Sequence, residues 1–196
     1  MTTDLDKLLK LLEVERVDKY LFIGRSPKRP SRVFGGQVIA QAVASTTSLA
    51  EEKDLPVQVH VPDGGLPPVC GDRDRIVQVV TNLLANAIKF TEKGDFFINA
   101  ELDKDHGDEI SMKISVIDTG IGIPPSKLDT VFQPFTQVDG SSTRAYGGVG
   151  VGLTIVKRLT RRFEWPFSVD SEPGRGTRVE IHFPEARQRR ETRPQN

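Results

Sequence analysis

Residues 118–124 read Asp-Thr-Gly-Ile-Gly-Ile-Pro, and residues 148–153 read Gly-Val-Gly-Val-Gly-Leu. Between them lies a stretch bearing Phe132 and Phe135, and ahead of them runs a segment with asparagines at 82 and 86. Neither glycine run is a Walker A loop, which needs a Lys and a Ser or Thr after its last glycine. Asp118 closes the apolar run ISMKISVI (residues 111–117 and the Ile before them), so its carboxylate stands at the end of a buried strand and can accept a hydrogen bond from an exocyclic amine. Gly120 and Gly122, followed by Ile123 and Pro124, permit backbone approaches that a Cβ would block. Gly148, Gly150 and Gly152 open a helix that continues through Leu153, and the free N–H groups of a helix start favour phosphate. Each run alone is an ordinary turn. In this order they point to a nucleotide pocket.

The segment from Asp72 to about Phe90 predicts a helix. Asp72 is its N-cap, and Ile76, Val79, Val80, Leu83, Leu84, Ala87 and Ile88 form its apolar stripe. Glu92-Lys93-Gly94 ends it. Asn82 and Asn86 share one face, with Lys89 on the same side. Asparagine is a mediocre helix former because its amide competes for backbone hydrogen bonds. A single one reads as a solvated face. Two with a lysine, beside an apolar stripe, read as ligands. An amide oxygen is a hard, neutral donor suited to Mg²⁺, which keeps several waters and takes phosphate oxygens. Lys89 would meet a phosphate as a point charge. The polar stretch 136–149 reads as a lid, with Arg144 as a phosphate contact.

Around this centre the pattern predicts helices over 3–18, 37–52 and 150–163, and a short one from Pro125 to Phe132. Strands are expected at 19–23, 57–61, 95–102, 110–117, in FSVDS and in TRVEIHF, the last two joined by the Pro173–Gly176 turn. The Arg-rich tail 186–196 is expected to be disordered. Lys+Arg and Asp+Glu are equal at 27 each, so no net field favours nucleic acid or an anionic membrane. No apolar run is long enough to span a bilayer, and one cysteine (Cys70) permits no internal disulfide, which makes the cytoplasm the expected compartment.

The stretches NLLANAIKFTEKG (82–94), DTGIGIP (118–124), VFQPFTQVDGSSTRAYGG (131–148), GVGVGL (148–153) and SEPGRGT (171–177) resemble, in order and spacing, the nucleotide boxes of the ATP-binding catalytic domain of sensor histidine kinases, within the wider family of gyrase and Hsp90-type ATPases. The resemblance covers about residues 48 to 184. It implies an α/β two-layer sandwich, a mixed sheet with helices on one face, carrying an N-terminal helical or extended appendage. It implies ATP and Mg²⁺ as cofactors, with Asn86 the metal ligand and Asp118 reading the adenine amine. Lys89 and Arg144 would contact phosphates, Phe90 would pack near adenine, Thr177 would support Asp118, and Phe132 and Phe135 would anchor the lid. Family members that hydrolyse ATP with water carry a Glu four residues before the metal Asn. Here Asn82 stands there, and a neutral amide cannot take a proton from water. The chain departs from the pattern at Val149, where kinases often have Thr, and at Glu164-Trp165-Pro166, where Gly-Gly is usual.

A kinase of this type phosphorylates a His on a helical hairpin, usually with an acidic neighbour. His60, His106 and His182 fall in a strand, a charged turn and a strand, so none is that acceptor. In its place residues 5–47, with Val33-Phe-Gly-Gly-Gln-Val38 entering a helix, resemble the start of acyl-CoA thioesterase II, but no residue matches that family's catalytic Asp, Thr or Gln. The sequence therefore reads as a chimera of 1–47, an ATP-binding domain over 48–185, and the tail. Three functions are open: phosphoryl transfer to a hairpin supplied in trans, with a response regulator downstream; an inactive thioesterase fragment; or a non-catalytic ATP-dependent binding module.

Overall fold

The computed structural model describes residues 14–18, 21–24, 33–62, 65–66, 68–69, 72–103, 111–133 and 152–184. Along the chain these form strands β1 (Val14–Asp18), β2 (Leu21–Gly24) and β3 (Val33–Phe34), helix α1 (Gly35–Glu51), strands β4 (Val57–His60) and β5 (Pro68–Val69), and helix α2 (Arg73–Phe90). Strands β6 (Phe96–Asp103) and β7 (Ser111–Asp118), a 3-10 turn (Pro125–Lys127), helix α3 (Gly152–Arg162), and strands β8 (Phe167–Glu172) and β9 (Gly176–Pro184) follow.

Five strands build one mixed sheet in the order β4-β6-β7-β9-β8. β4 runs parallel to β6 and every other pair is antiparallel. Alternation along each strand sorts the two faces. Phe96, Ile98 and Ala100 of β6, Met112, Ile114 and Val116 of β7, and Val179, Ile181 and Phe183 of β9 are buried together with the helices. The opposite face is polar, with Lys113 paired to Glu101 at 2.7 Å and Ser115 donating to Glu180 at 3.1 Å. This is the expected two-layer α/β sandwich.

The apolar stripe of α2 and four fully buried residues of α1 (Val38, Ile39, Ala42, Val43) share that core. Burying a side chain such as Val38, Ile39 or Val43 contributes about 1.5–3 kcal/mol relative to leaving it in water, so α1 is anchored by its composition. Arg73 at the start of α2 also donates to the Gln41 side chain on α1. Asp72 caps α2 by accepting from the N–H groups of Asp74 (3.0 Å) and Arg75 (3.3 Å).

Three local expectations are corrected. Residues 14–18, expected in a helix over 3–18, form β1 and pair antiparallel with β2. The leucine spacing behind the helix ends at Leu12, and Val14-Glu-Arg-Val-Asp18 has no further 3.6-residue apolar period. Residues 3–13 lie outside the described residues. Pro68, the last residue of the Gly- and Pro-rich stretch 62–68 expected as turn and loop, pairs with Phe34 in a two-residue ladder that also joins Val69 to Val33. The helix expected from Pro125 to Phe132 is one 3-10 turn followed by turns, because its backbone closes mostly through i→i+3 bonds (Lys127 N–H to the Pro124 carbonyl, Leu128 to Pro125, Thr130 to Lys127), with Val131 to Lys127 the one i→i+4 bond among them.

Helix α3 ends where glycine would be usual. Glu164 takes φ 55°, and the Trp165 N–H reaches back to the Thr160 carbonyl at 2.9 Å. That is a Schellman closure with a glutamate in the left-handed position. Trp165, 4% exposed, then packs against Phe163 and Phe183 with ring centroids 4.8 and 4.9 Å apart.

Candidate nucleotide site

The site runs along one stripe of α2. Asn82, Asn86 and Phe90 recur every four residues, so they share a face and span about 12 Å of helix at 1.5 Å per residue. All three are half-buried, beside the fully buried stripe.

At the Asn end, the first residue of α3 closes over the two amides. A Cβ on Gly152 would lie 3.5 Å from Asn82 Oδ1, 3.5 Å from Asn86 Nδ2 and 3.8 Å from Asn86 Oδ1. A larger residue there would fill the space between α3's N-terminus and α2. Asn86 Nδ2 is buried with no hydrogen-bond partner among the described residues. Orphaned buried polar atoms are rare. With no bond among the described residues fixing which end of the amide is which, its oxygen can face the gap below the first-turn N–H groups of α3. This donor set suits a hard cation carrying phosphate oxygens.

At the Phe90 end sits the loop that follows β7. The register places Phe96, Asp118, Thr177 and Ser171 in one row across β6, β7, β9 and β8. Asp118 accepts from the Gly120 N–H at 2.9 Å and from the Thr177 N–H. Burial nevertheless holds its carboxyl above the usual carboxylate range, the two N–H groups opposing that shift. The glycines are required by contact. A Cβ on Gly120 would collide with the Phe90 carbonyl, and Gly122, at φ 67°, is pressed against the Glu172 carbonyl. The Ile121 N–H donates to that Phe90 carbonyl at 3.2 Å, which ties the loop to the end of α2.

The structure therefore brings Asn82, Asn86 and Gly152 together at one end and Phe90, Asp118, Gly120 and Thr177 at the other. Lys89 lies beside Phe90, its Nζ 5.1 Å from the ring centroid. Ile123 is pinned through its N–H to Ser171 Oγ at 2.8 Å, and Leu153 packs on the core from α3. Phe132 is buried edge-on to Phe167 at 5.3 Å, with Lys157 above its ring. Arg144, Gly148, Gly150 and Phe135 lie outside the described residues. Ser171 escaped sequence reasoning. Its hydroxyl meets the Ile123 N–H, the Gly176 carbonyl (2.9 Å) and the Thr177 hydroxyl (2.9 Å), and so joins the loop to the row holding Asp118. The signal was available: Ser171 pairs with Thr177 across the Pro173–Gly176 turn. Of the histidines, His60 contacts Asn99 and His182 pairs with Asp103 at 2.7 Å, both on the sheet and away from this stripe.

Residues 71–187 match the family described as histidine kinase-, DNA gyrase B-, and HSP90-like ATPase, and the chain belongs to that family. Within it, the chain is an ATP-binding catalytic domain of the histidine-kinase type. It is 39% identical over 145 residues to the hybrid signal transduction protein dokA of Dictyostelium discoideum, covering 71% of this chain and 9% of that protein. It is 44% identical over 137 residues to the autoinducer 2 sensor kinase/phosphatase LuxQ of Vibrio cholerae, covering 69% of this chain and 16% of LuxQ. The crystal structure of full-length ShkA in complex with AMPPNP superposes with a TM-score of 0.66 at 28% identity, over 82% of this chain and 33% of ShkA. The chain thus spans less than a fifth of the length of these two curated relatives. Among the described residues, no helix is long and apolar enough to cross a membrane.

Proposed function

We propose that this chain binds Mg-ATP and donates the γ-phosphoryl group to a histidine on a helical hairpin supplied in trans, within a two-component phosphorelay that ends on a response regulator. The observation that carries the reading is the buried Nδ2 of Asn86, without a hydrogen-bond partner among the described residues, set with Asn82 against the first residue of α3. The Asn86 oxygen would hold the metal, with Lys89 and the N-terminus of α3 taking phosphate oxygens. Arg144, Gly148 and Gly150 would close over them from the lid. Bound Mg²⁺ would neutralise phosphate charge. At the far end Asp118 would accept from the adenine amine and Phe90 would pack against the base. In the transfer, an imidazole nitrogen of the partner hairpin bonds to the γ-phosphorus. The bond to the bridging oxygen breaks, and ADP leaves with that electron pair. Asn82 offers no base for a competing water, so the domain should store ATP rather than hydrolyse it.

The test is incubation of the chain with γ-labelled ATP and a separately purified kinase hairpin. Acid-labile label on the hairpin histidine supports transfer. Tight nucleotide binding with no label on any hairpin would support an ATP-dependent binding module instead.

The seam near residues 47 and 48 is proposed as one of sequence ancestry only, and α1 runs unbroken across it from Gly35 to Glu51. It rests on the likeness of residues 5–47 to acyl-CoA thioesterase II. That segment lacks the residues for thioesterase chemistry, so cleavage of a medium-chain acyl-CoA by the intact chain would overturn this reading. A cytoplasmic location is proposed on the single cysteine.

A further inference from the structure

Helix α2 ends without a glycine. Thr91, the residue after Phe90, is extended (φ −103°, ψ 117°), so the chain leaves the helix straight and strands the last carbonyls. Each one nevertheless has a partner. The Ala87 carbonyl accepts from the Thr91 N–H, and the Phe90 carbonyl accepts from the Ile121 N–H. The carbonyls of Ile88, Lys89 and Thr91 all accept from one ammonium group, Lys53 Nζ, at 2.8, 2.7 and 3.1 Å. Three donors on one ammonium match three converging acceptors. A cation at a helix C-terminus also opposes the macrodipole.

Lys53 is aimed there by the end of α1. Asp54 takes φ 53°, and the N–H groups of Asp54 and Leu55 return to the carbonyls of Glu51 (3.2 Å) and Ala50 (3.0 Å). This is a Schellman closure, sealed by buried Leu55 and Ala50. The rigid turn delivers the lysine to α2 from 35 to 38 positions away in sequence.

The geometry points to Lys53 as a positioning residue for the nucleotide pocket: it fixes the terminal turn of α2, and with it the Phe90 carbonyl on which the Asp118–Gly122 loop is hung. The inference rests on the Mg-ATP reading above, since it assigns Lys53 to that same site. Lys53 touches no ligand in this account. It acts through the Phe90 carbonyl and the Ile121 N–H.

The experiment compares the intact chain with Lys53→Met and with Leu55→Val, which loosens the same turn of α1 without removing the ammonium. Affinity for a non-hydrolysable ATP analogue is measured by calorimetry at a temperature where circular dichroism shows all three folded. Exchange of the Ile121 amide is followed by NMR in the ligand-free proteins. Both variants should melt earlier. Only Lys53→Met should weaken the analogue tenfold or more and speed Ile121 exchange. Lys53→Met binding within twofold of wild type, or losing no more affinity than Leu55→Val, would overturn the assignment. Should the wild-type chain bind no analogue, the Mg-ATP reading falls separately. Ile121 exchange then still decides whether Lys53 holds the loop: faster exchange in Lys53→Met sustains it, and unchanged exchange overturns it.

Discussion

Asp118→Asn separates what the carboxylate does for the ligand from what it does for the fold. The two side chains have the same shape, so packing is kept. The carboxylate accepts from the N–H groups of Gly120 and Thr177 and, in the proposed complex, from the adenine amine. An amide has one acceptor end, and its NH₂ would face a donor. One hydrogen bond to a charged group contributes about 1.5–3 kcal/mol, and each 1.4 kcal/mol is tenfold in affinity, so analogue binding should weaken about 10- to 150-fold. The pH dependence has a definite sign. Burial raises the folded pKa of Asp118 above its unfolded value of roughly 3.9. The group's contribution to stability is therefore fully present below that unfolded value and is lost as pH rises through the folded pKa. Ligand binding runs the other way, because the amine needs the ionised form. Titration calorimetry across the mildly acidic range should show affinity rising more steeply with pH in the wild type than in Asp118→Asn, which keeps only the slope set by the analogue's own phosphates. A variant affinity within threefold of wild type, or the same pH slope in both proteins, would refute the argument.

Gly120→Ala should lower both stability and affinity. Its Cβ collides with the Phe90 carbonyl, and overpacking of this kind costs about 1–3 kcal/mol; thermal melts and calorimetry would check it. Glu164→Gly should raise stability by about 1 kcal/mol in urea melts, because it removes a Cβ from a left-handed position at φ 55°. Trp165 fluorescence can report the transition, and a lowered midpoint would count against the reading. Asn82→Glu supplies a carboxylate at the position where water-using relatives have their base. Steady-state phosphate release should rise by about 10²-fold or more, and an unchanged rate would argue that water does not reach the γ-phosphorus here.

Much of this was legible in the sequence because it is local. The helix carrying Asn82, Asn86 and Lys89 follows from Asp72 and an unbroken apolar stripe, and the structure begins and ends it within a residue of expectation. The glycines of DTGIGIP were legible as close approaches, although their obstacles, the Phe90 and Glu172 carbonyls, were not. What escaped depends on partners far along the chain. Ser171 matters because strand register sets it beside Thr177 and within reach of Ile123. Lys53 matters because two helix ends meet, and a lysine in a charged stretch such as Glu51-Glu-Lys-Asp54 reads as solvated surface. β1 departs from the expected helix because the leucine period stops at Leu12, and Val14–Asp18 takes its conformation from pairing with β2.

The central claim is a magnesium-dependent ATP site organised by Asn86. Its most direct test is calorimetric titration of the intact chain with a non-hydrolysable ATP analogue, with Mg²⁺ and with EDTA, for wild type and Asn86→Ala. The account predicts saturable binding that Mg²⁺ strengthens in the wild type and a loss of that Mg²⁺ dependence in the variant, with both proteins folded. A folded wild-type chain that binds no analogue, or an Asn86→Ala chain with wild-type Mg²⁺-dependent affinity, would contradict it.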